Sequence, residues 1–404
     1  MTKKQVVIVG GVAGGATCAT RLRRMDENAE ILVLDRGPYV SFANCGLPYY
    51  VGNVIHDESK LLLATPASFR ERFNIEVRTR NEVTAIDRES RTIAVRDLET
   101  GREYRKHYDA LVLSPGAEPI CPPWPGIDLP GIFTLRTIPD SREFRDWIDS
   151  RAPRKAVVVG GGFIGLEMAE NLAHRGITVT IVELANQLLP PLDPEMAEDA
   201  RQQVVSQKVT LLLGDGVSGF ERTGNGTLKV RTQGGEAFDA DLVVLAIGVR
   251  PETKLARDAG LDIGACGGIR VDSQLRSSDS RIWAIGDAIE VKNLLTGQWE
   301  LVPLAGPANR QGRVAADAIC GRDAHFEGVQ ATAVCGFFGS DCGAYGCNGE
   351  GAKSRRNRGL PDRISAPHSA RRLFPWSASH SPEAALSHVG WTYSGRAGCG
   401  RIGG

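Results

Sequence analysis

One cysteine stands in a setting suited to chemistry. The decamer SFANCGLPYY occupies residues 41–50 and holds Cys45 between Asn44 and Gly46. The thiolate is the reactive form of cysteine, and a helix starting just beyond the sulfur favours it. GLPYYVG predicts such a helix, with Pro48 in its first turn. Unpaired cysteines are often inert core residues, but Ser41 and Asn44 are poor lining for an inert core. Five residues past Cys45 stands Tyr50, so the segment has no C-x4-C dithiol. A thiol without a mate needs a redox partner elsewhere: a bound thiol, a sulfur chain, or oxygen as a sulfenic acid. Cys18, Cys121, Cys266, Cys320 and Cys335 lack such neighbours and read as structural.

Two further stretches have the spacing that brings a backbone close to a diphosphate. QVVIVGGVAGGATCATRLRRMDENAEILVLDRG (5–37) reads as strand, glycine turn, helix and strand, closed by Asp35. In the G-x-G-x-x-G register its glycines are Gly10 and Gly15, with Val12 in the centre. KAVVVGGGFIGLEMAENLAHRGITVTIVEL (155–184) fits fully, through Gly160, Gly162 and Gly165, and Glu183 closes its second strand. A closing acid accepts ribose hydroxyls, and no arginine follows Glu183 to meet a 2′-phosphate, which favours NADH over NADPH. DALVLSPG (109–116), DLVVLAIG (241–248, ending in Gly248) and RIWAIGDA (281–288, with Asp287) are strands that end in small-residue turns. A helix predicted within 302–319 opens on small residues, and its positive end suits a reduced flavin. Singly, each reads equally well as a strand end or a capped helix. Their order argues for two dinucleotide sites, one holding a resident cofactor and one a visiting one.

From residue 5 to 339 the chain resembles the pyridine nucleotide–disulfide oxidoreductases, which bind two dinucleotides. The resemblance implies an α/β fold with two Rossmann-type domains, for FAD and for NADH. It implies flavin contacts at Gly10, Gly11, Gly14, Asp35, Val83, Asp287 and Ala305, and an NADH site at Gly160, Gly162, Gly165, Glu183 and Gly248. Glu167 is implied near the point where nicotinamide meets flavin. SFANCGLPYY is similar to the active-site segment of coenzyme A–disulfide reductases and of their persulfide- and polysulfide-reducing relatives. That likeness implies catalysis at Cys45 and coenzyme A contacts at Thr17, Arg21, Arg24, Ser41, Asn44 and Arg310. Thr17, Arg21 and Arg24 are spaced for one helix face, which also reads as an ordinary solvated face. Phe73 stands where a basic residue occurs in the family. Oxidase and peroxidase relatives, which cycle through a cysteine sulfenic acid, carry a histidine in the first glycine loop; here the position is Ala13. A sulfur substrate is therefore expected, with oxidase or peroxidase activity as the alternative.

Composition agrees with this class. Lys+Arg and Asp+Glu balance at 48 each over 404 residues, leaving no basic field for nucleic acid. No apolar run approaches a membrane span or a signal segment. Nine cysteines without C-x-x-C pairs or zinc spacing fit a reducing cytoplasm and no metal site. The expected domains are 1–150 (flavin, first part), 151–275 (NADH), 276–335 (flavin, second part) and 336–404, an aberrant tail where the family has a dimerisation domain. From 340 onward arginine outnumbers lysine eight to one, with three of the seven histidines and three of the nine cysteines. By composition this tail should not pack a core, so Cys342, Cys347 and Cys399 and His368, His380 and His388 are expected to be accidental neighbours. Read one nucleotide later, codons allowed for 340–357 can spell an apolar strand and a capped helix. Those for 370–377 can spell a segment similar to the family's partner-reaching tyrosine loop. A reading-frame slip after Gly339 is the expectation, and with it a lost dimer interface and, as a further alternative, an inactive flavin-binding remnant.

Overall fold

The computed structural model describes residues 3–344 and the short strand Leu373–Pro375. Two parallel sheets organise it. The first runs Ile282–Ala284, Ala110–Leu113, Gln5–Val9, Glu30–Leu34, Glu76–Arg78 across its width. The second runs Thr210–Leu213, Thr178–Glu183, Lys155–Val159, Leu242–Leu245, Ile132–Phe133. In each, a β-branched central strand is buried, as a parallel sheet covered on both faces requires. Two separate three-stranded antiparallel meanders, Asn81 to His107 and Val217 to Ala240, accompany the first and second sheets in turn. The chain thus builds one Rossmann-type plan twice. The strand Ile282–Ala284, from late in the sequence, pairs with Ala110–Leu113 and completes the first sheet.

The domain limits differ from the expected ones. Ile132–Phe133 already pairs with Leu242–Leu245, and Phe144 and Ile148 lie in the second domain's core, so the chain crosses over well before residue 150. The antiparallel pair Ala117–Pro119 and Val249–Pro251 marks the crossing. Ala256, Leu261, Ile269, Val271 and Leu275 pack into the first core, so the return also precedes residue 275. Glycine motifs announce where a Rossmann unit starts, but a two-residue strand leaves no periodicity to read.

The expected limit at 335 falls inside the strand Ala333–Phe337, which forms a hairpin with Ser340–Ala344. Phe337 and Cys342 are buried in the second core, so this first piece of the expected aberrant tail does pack. Cys347, Cys399, His368, His380 and His388, and nearly all of the segments in the expected frame slip, lie outside the described residues.

Candidate active site

The helix Ala13–Met25 follows the first strand, and Phe163–His174 follows the central strand of the second sheet. Both start at turns whose first glycine admits no side chain. A Cβ on Gly10, whose φ is +93°, would lie 2.0 Å from the Ser114 carbonyl oxygen; on Gly160, at +107°, it would lie 2.4 Å from that of Ala246. Gly15 and Gly165 repeat this closeness one turn on, so in the first copy Gly10 and Gly15 hold the turn while Val12 caps the helix. Gly162 has nothing within 4 Å of a Cβ, which leaves open space on the outer side of the second turn.

The closing acids act alike in both copies. Asp35 accepts from the Gly11 and Gly37 amides at 2.8 Å each, and Glu183 accepts from Gly161 and Ala185. Burial nevertheless pushes the Asp35 carboxyl above its ordinary value, against those amides and against Arg36 and Arg136.

Cys45 sits in the short 3₁₀ turn Asn44–Gly46, which runs into the helix Leu47–Val51 with Pro48 near its start, as the sequence predicts. This helix rests on Phe163–His174 so closely that a Cβ on Gly52 would come within 2.1 Å of Asn171 Oδ1. Ser41, at φ +47°, is fixed by its amide to the Gly11 carbonyl and by its own carbonyl to Leu63 and Ala64. Non-glycine residues with φ in this range cost energy and concentrate at working sites. Tyr50, where a second cysteine would stand, is buried with the Arg145 guanidinium 4.5 Å from its ring centre.

Cys45 is an exposed residue, yet its environment opposes ionisation of the thiol. Desolvation raises the thiol first, then the Glu167 carboxylate, with Asp287 adding a further push; only the residue's own amide lowers it. The expected activation by a helix end is therefore opposed in the polypeptide, by desolvation first and then by the charges of Glu167 and Asp287. Glu167 itself is pushed up to about 8 by burial and by Glu170, and Asp287 to about 6 by burial. Tyr49, one helical turn past Cys45, is raised too, by burial and then by Glu167, Glu170, Cys335 and Cys45. Cys45 thus feels the charges of Glu167 and Asp287, and Tyr49 those of Glu167 and Cys45.

Other expected residues lie on its margins. Asp287 is held in the turn Gly286–Ala288, where the Gly286 amide donates to the buried Gln311. Ala305 opens the helix Ala305–Ile319, Val83 sits at a bulge in the first meander, and Gly248 turns the chain at φ +114°. Thr17 and Arg21 meet that late helix: Thr17 donates to Asn309 at 2.6 Å, and Arg21 grips Asp317 through two 2.9 Å contacts. Arg24 is exposed one turn on, and Arg310 is exposed and lies over the Phe326 ring. Asn44 is exposed beside Cys45. Sequence reasoning missed Arg136, which binds Glu252 at 2.6 Å and the Pro115 carbonyl and lowers both Asp35 and Asp287. A lone arginine in TLRTIPD gives no signal of that role.

Residues 4–312 match the profile of the pyridine nucleotide-disulphide oxidoreductases. This chain belongs to that family. The family's arrangement accounts for the repeated Rossmann plan and for the late strand returning to the first sheet. Among its members, an NADH oxidase of Methanocaldococcus jannaschii is 35% identical over 82% of this chain and 73% of its own length. The CoA-dependent NAD(P)H sulfur oxidoreductase of Pyrococcus abyssi is 36% identical over 85% and 76%. The crystal structure of reduced Bacillus anthracis CoADR-RHD superposes with a TM-score of 0.85 at 45% identity, covering 89% of this chain. The chain spans 64% of that structure's length. Among the described residues of this family member, no helix is long and apolar enough to cross a membrane.

Proposed function

We propose that this chain is a flavoprotein reductase in which Cys45 takes electrons originating in NADH and reduces a coenzyme A disulfide, persulfide or polysulfide. The observation that carries the reading is one accessible thiol at the junction of two dinucleotide folds, with buried Tyr50 in the place of a second cysteine. A resident FAD suits the residues present: the half-buried carboxyls of Asp287 and Glu167 are raised by desolvation and make no ion pair among the described residues. Gly10, Gly11, Gly14, Asp35, Val83, Asp287 and Ala305 would hold it, and when bound it would accept hydride from NADH and deliver electrons to sulfur. Gly160, Gly162, Gly165, Glu183 and Gly248 would seat NADH, with Glu183 on the ribose.

Cys45 then does the sulfur chemistry. Its thiolate attacks R–S–S–R, forming Cys45–S–S–R and expelling RS⁻. Two electrons cleave the mixed disulfide, RS⁻ leaves protonated, and the cysteine thiolate returns. Ser41 and Asn44 flank the sulfur, and Thr17, Arg21, Arg24 and Arg310 would meet the coenzyme's polar groups. Such a cycle belongs in a reducing, cytoplasmic setting.

The 35% identity to an NADH oxidase supports a second reading, in which Cys45 reduces oxygen or peroxide through a sulfenic acid. Intact mass of the unreduced protein and NADH consumption separate the two. A coenzyme A adduct on Cys45, with turnover of coenzyme A disulfide or polysulfide lost in Cys45→Ser, is expected. Turnover only with oxygen favours the oxidase. Sulfur-compound turnover unchanged in Cys45→Ser refutes the proposal.

A further inference from the structure

The helix Leu47–Val51, which continues the turn of Cys45, has five residues, too few to hold itself in water. Its place is set by what it rests on, and two of its supports are helices of the second domain. On one side lies Phe163–His174, the helix of Glu167: Val51 is buried in the second core, and Gly52 packs against Asn171. That last contact is steric, because Asn171 Oδ1 accepts no hydrogen bond among the described residues. On the other side lies the helix Ile138–Arg151, from which Arg145 reaches the far end of the short helix. One terminal nitrogen of Arg145 shares its protons among the carbonyls of Tyr50 at 3.4 Å, Ile55 at 3.2 Å and His56 at 3.3 Å. The other donates to Asn53 Oδ1 at 2.6 Å, and the guanidinium lies over the Tyr50 ring. Asn53 itself stands at φ +60°, the left-handed position past a helix end that suits asparagine after glycine. The Arg145 side chain is only 17% exposed, so four acceptors converge on a cation largely withdrawn from water.

We propose that Arg145 is a positioning residue for Cys45: it clamps the far end of the Leu47–Val51 helix and thereby fixes where the sulfur, at the near end, stands against Glu167. The proposal rests on the reading of Cys45 as the working thiol. The turn Asn44–Gly46 runs into the helix without a break, the Leu47 amide donating to the Asn44 carbonyl, so a tilt at Tyr50 is passed along to Cys45. The cation also suits the negative end of the helix. Lysine puts a single point charge in place of a planar fork and cannot meet the carbonyls and Asn53 together. With the clamp loosened, the helix moves off Phe163–His174, against which Gly52 has only packing. Cys45 then leaves the field of Glu167, whose charge holds the proton on the thiol.

The test compares wild type, Arg145→Lys and Asn53→Gly, each also in a Glu167→Gln background, by iodoacetamide labelling of Cys45 at pH 8 to 9, read by peptide mass. Asn53→Gly keeps the left-handed turn and removes one acceptor, and thermal melts establish that each variant is folded at the assay temperature. Labelling should be faster by about twofold or more in Arg145→Lys, and faster to a smaller degree in Asn53→Gly, with neither effect present where residue 167 is already glutamine. NADH-driven turnover of coenzyme A disulfide should lose about tenfold in kcat in Arg145→Lys, with the KM for NADH unchanged. Acceleration of equal size in both backgrounds would mean general loosening, and unchanged labelling in Arg145→Lys would mean that the clamp does not reach the sulfur; either result overturns the proposal. The expected labelling pattern in a protein that turns over no sulfur compound would sink the proposed function and leave the positioning of Cys45 standing.

Discussion

Replacing Glu167 by glutamine should stabilise the flavin-free protein, and increasingly so as pH rises. The carboxyl sits at about 8 in the fold against an ordinary value of 4.5, through burial and the neighbouring Glu170. Between those values the folded protein holds a proton that the unfolded chain releases, so stability falls with rising pH across that window. At pH 7 the penalty is roughly 3 kcal/mol, reduced to about 2 kcal/mol by water reaching a half-buried side chain. Glutamine keeps the shape of the protonated acid and cannot ionise. Urea melts of wild type and Glu167→Gln from pH 5 to 9 should therefore diverge from under about 1 kcal/mol at pH 5 to a plateau above pH 8. Asp287, raised in the same direction to about 6, is common to both proteins and cancels. A difference independent of pH, or a variant less stable at pH 8, would show that Glu167 is not held protonated by its surroundings.

Gly160→Ala should cost about 2 kcal/mol or more, from positive φ and a carbonyl within 2.4 Å of the new carbon. Gly162→Ala, which meets nothing, should change thermal stability by under about 1 kcal/mol while raising the KM for NADH. Glu183→Ala should lower kcat/KM for NADH about tenfold, or about 1.4 kcal/mol, and narrow the preference over NADPH, read from paired steady-state kinetics. Asp317→Asn should cost about 1 kcal/mol in a denaturant melt by breaking the two-contact pair with Arg21, which joins the first and last long helices.

The parts of this molecule legible in its sequence are those in which local chemistry and global fold agree. Glycines at 10, 15, 160 and 165 are forced by backbone contacts of about the same kind in both copies, and the closing acids bind the same turns. Leu47–Val51 forms a helix as GLPYYVG predicts. What escaped reading was set at a distance. The domain limits depend on a two-residue strand and on side chains between 254 and 275 that turn back to the first core. Arg136 works through partners more than a hundred residues away in sequence. Arg21 illustrates a different limit: spacing places it on a helix face, but only the fold shows Asp317 within its reach. The hairpin at 333–344 has no strict alternation of apolar and polar residues to announce it, yet Phe337 and Cys342 reach the core, and its turn binds Glu170 and Gln203.

The sign of the effect on Cys45 carries the last argument. Helix geometry alone favours a thiolate, but the carboxylates of Glu167 and Asp287 oppose it, and desolvation opposes it more. Their opposition depends on their own charge. Below pH 6 Asp287 and Glu167 hold protons and repel nothing; through pH 8 both ionise and push the thiol further up. The fraction of reactive thiolate should therefore rise less steeply with pH than for an isolated cysteine. Removing Glu167, the acid with the larger effect on the thiol, should restore the steepness. Iodoacetamide labelling of Cys45, followed by peptide mass against pH, should be faster for Glu167→Gln than for wild type at pH 8 to 9 and nearly equal at pH 6. Coincident profiles would mean that the acid does not act on the sulfur.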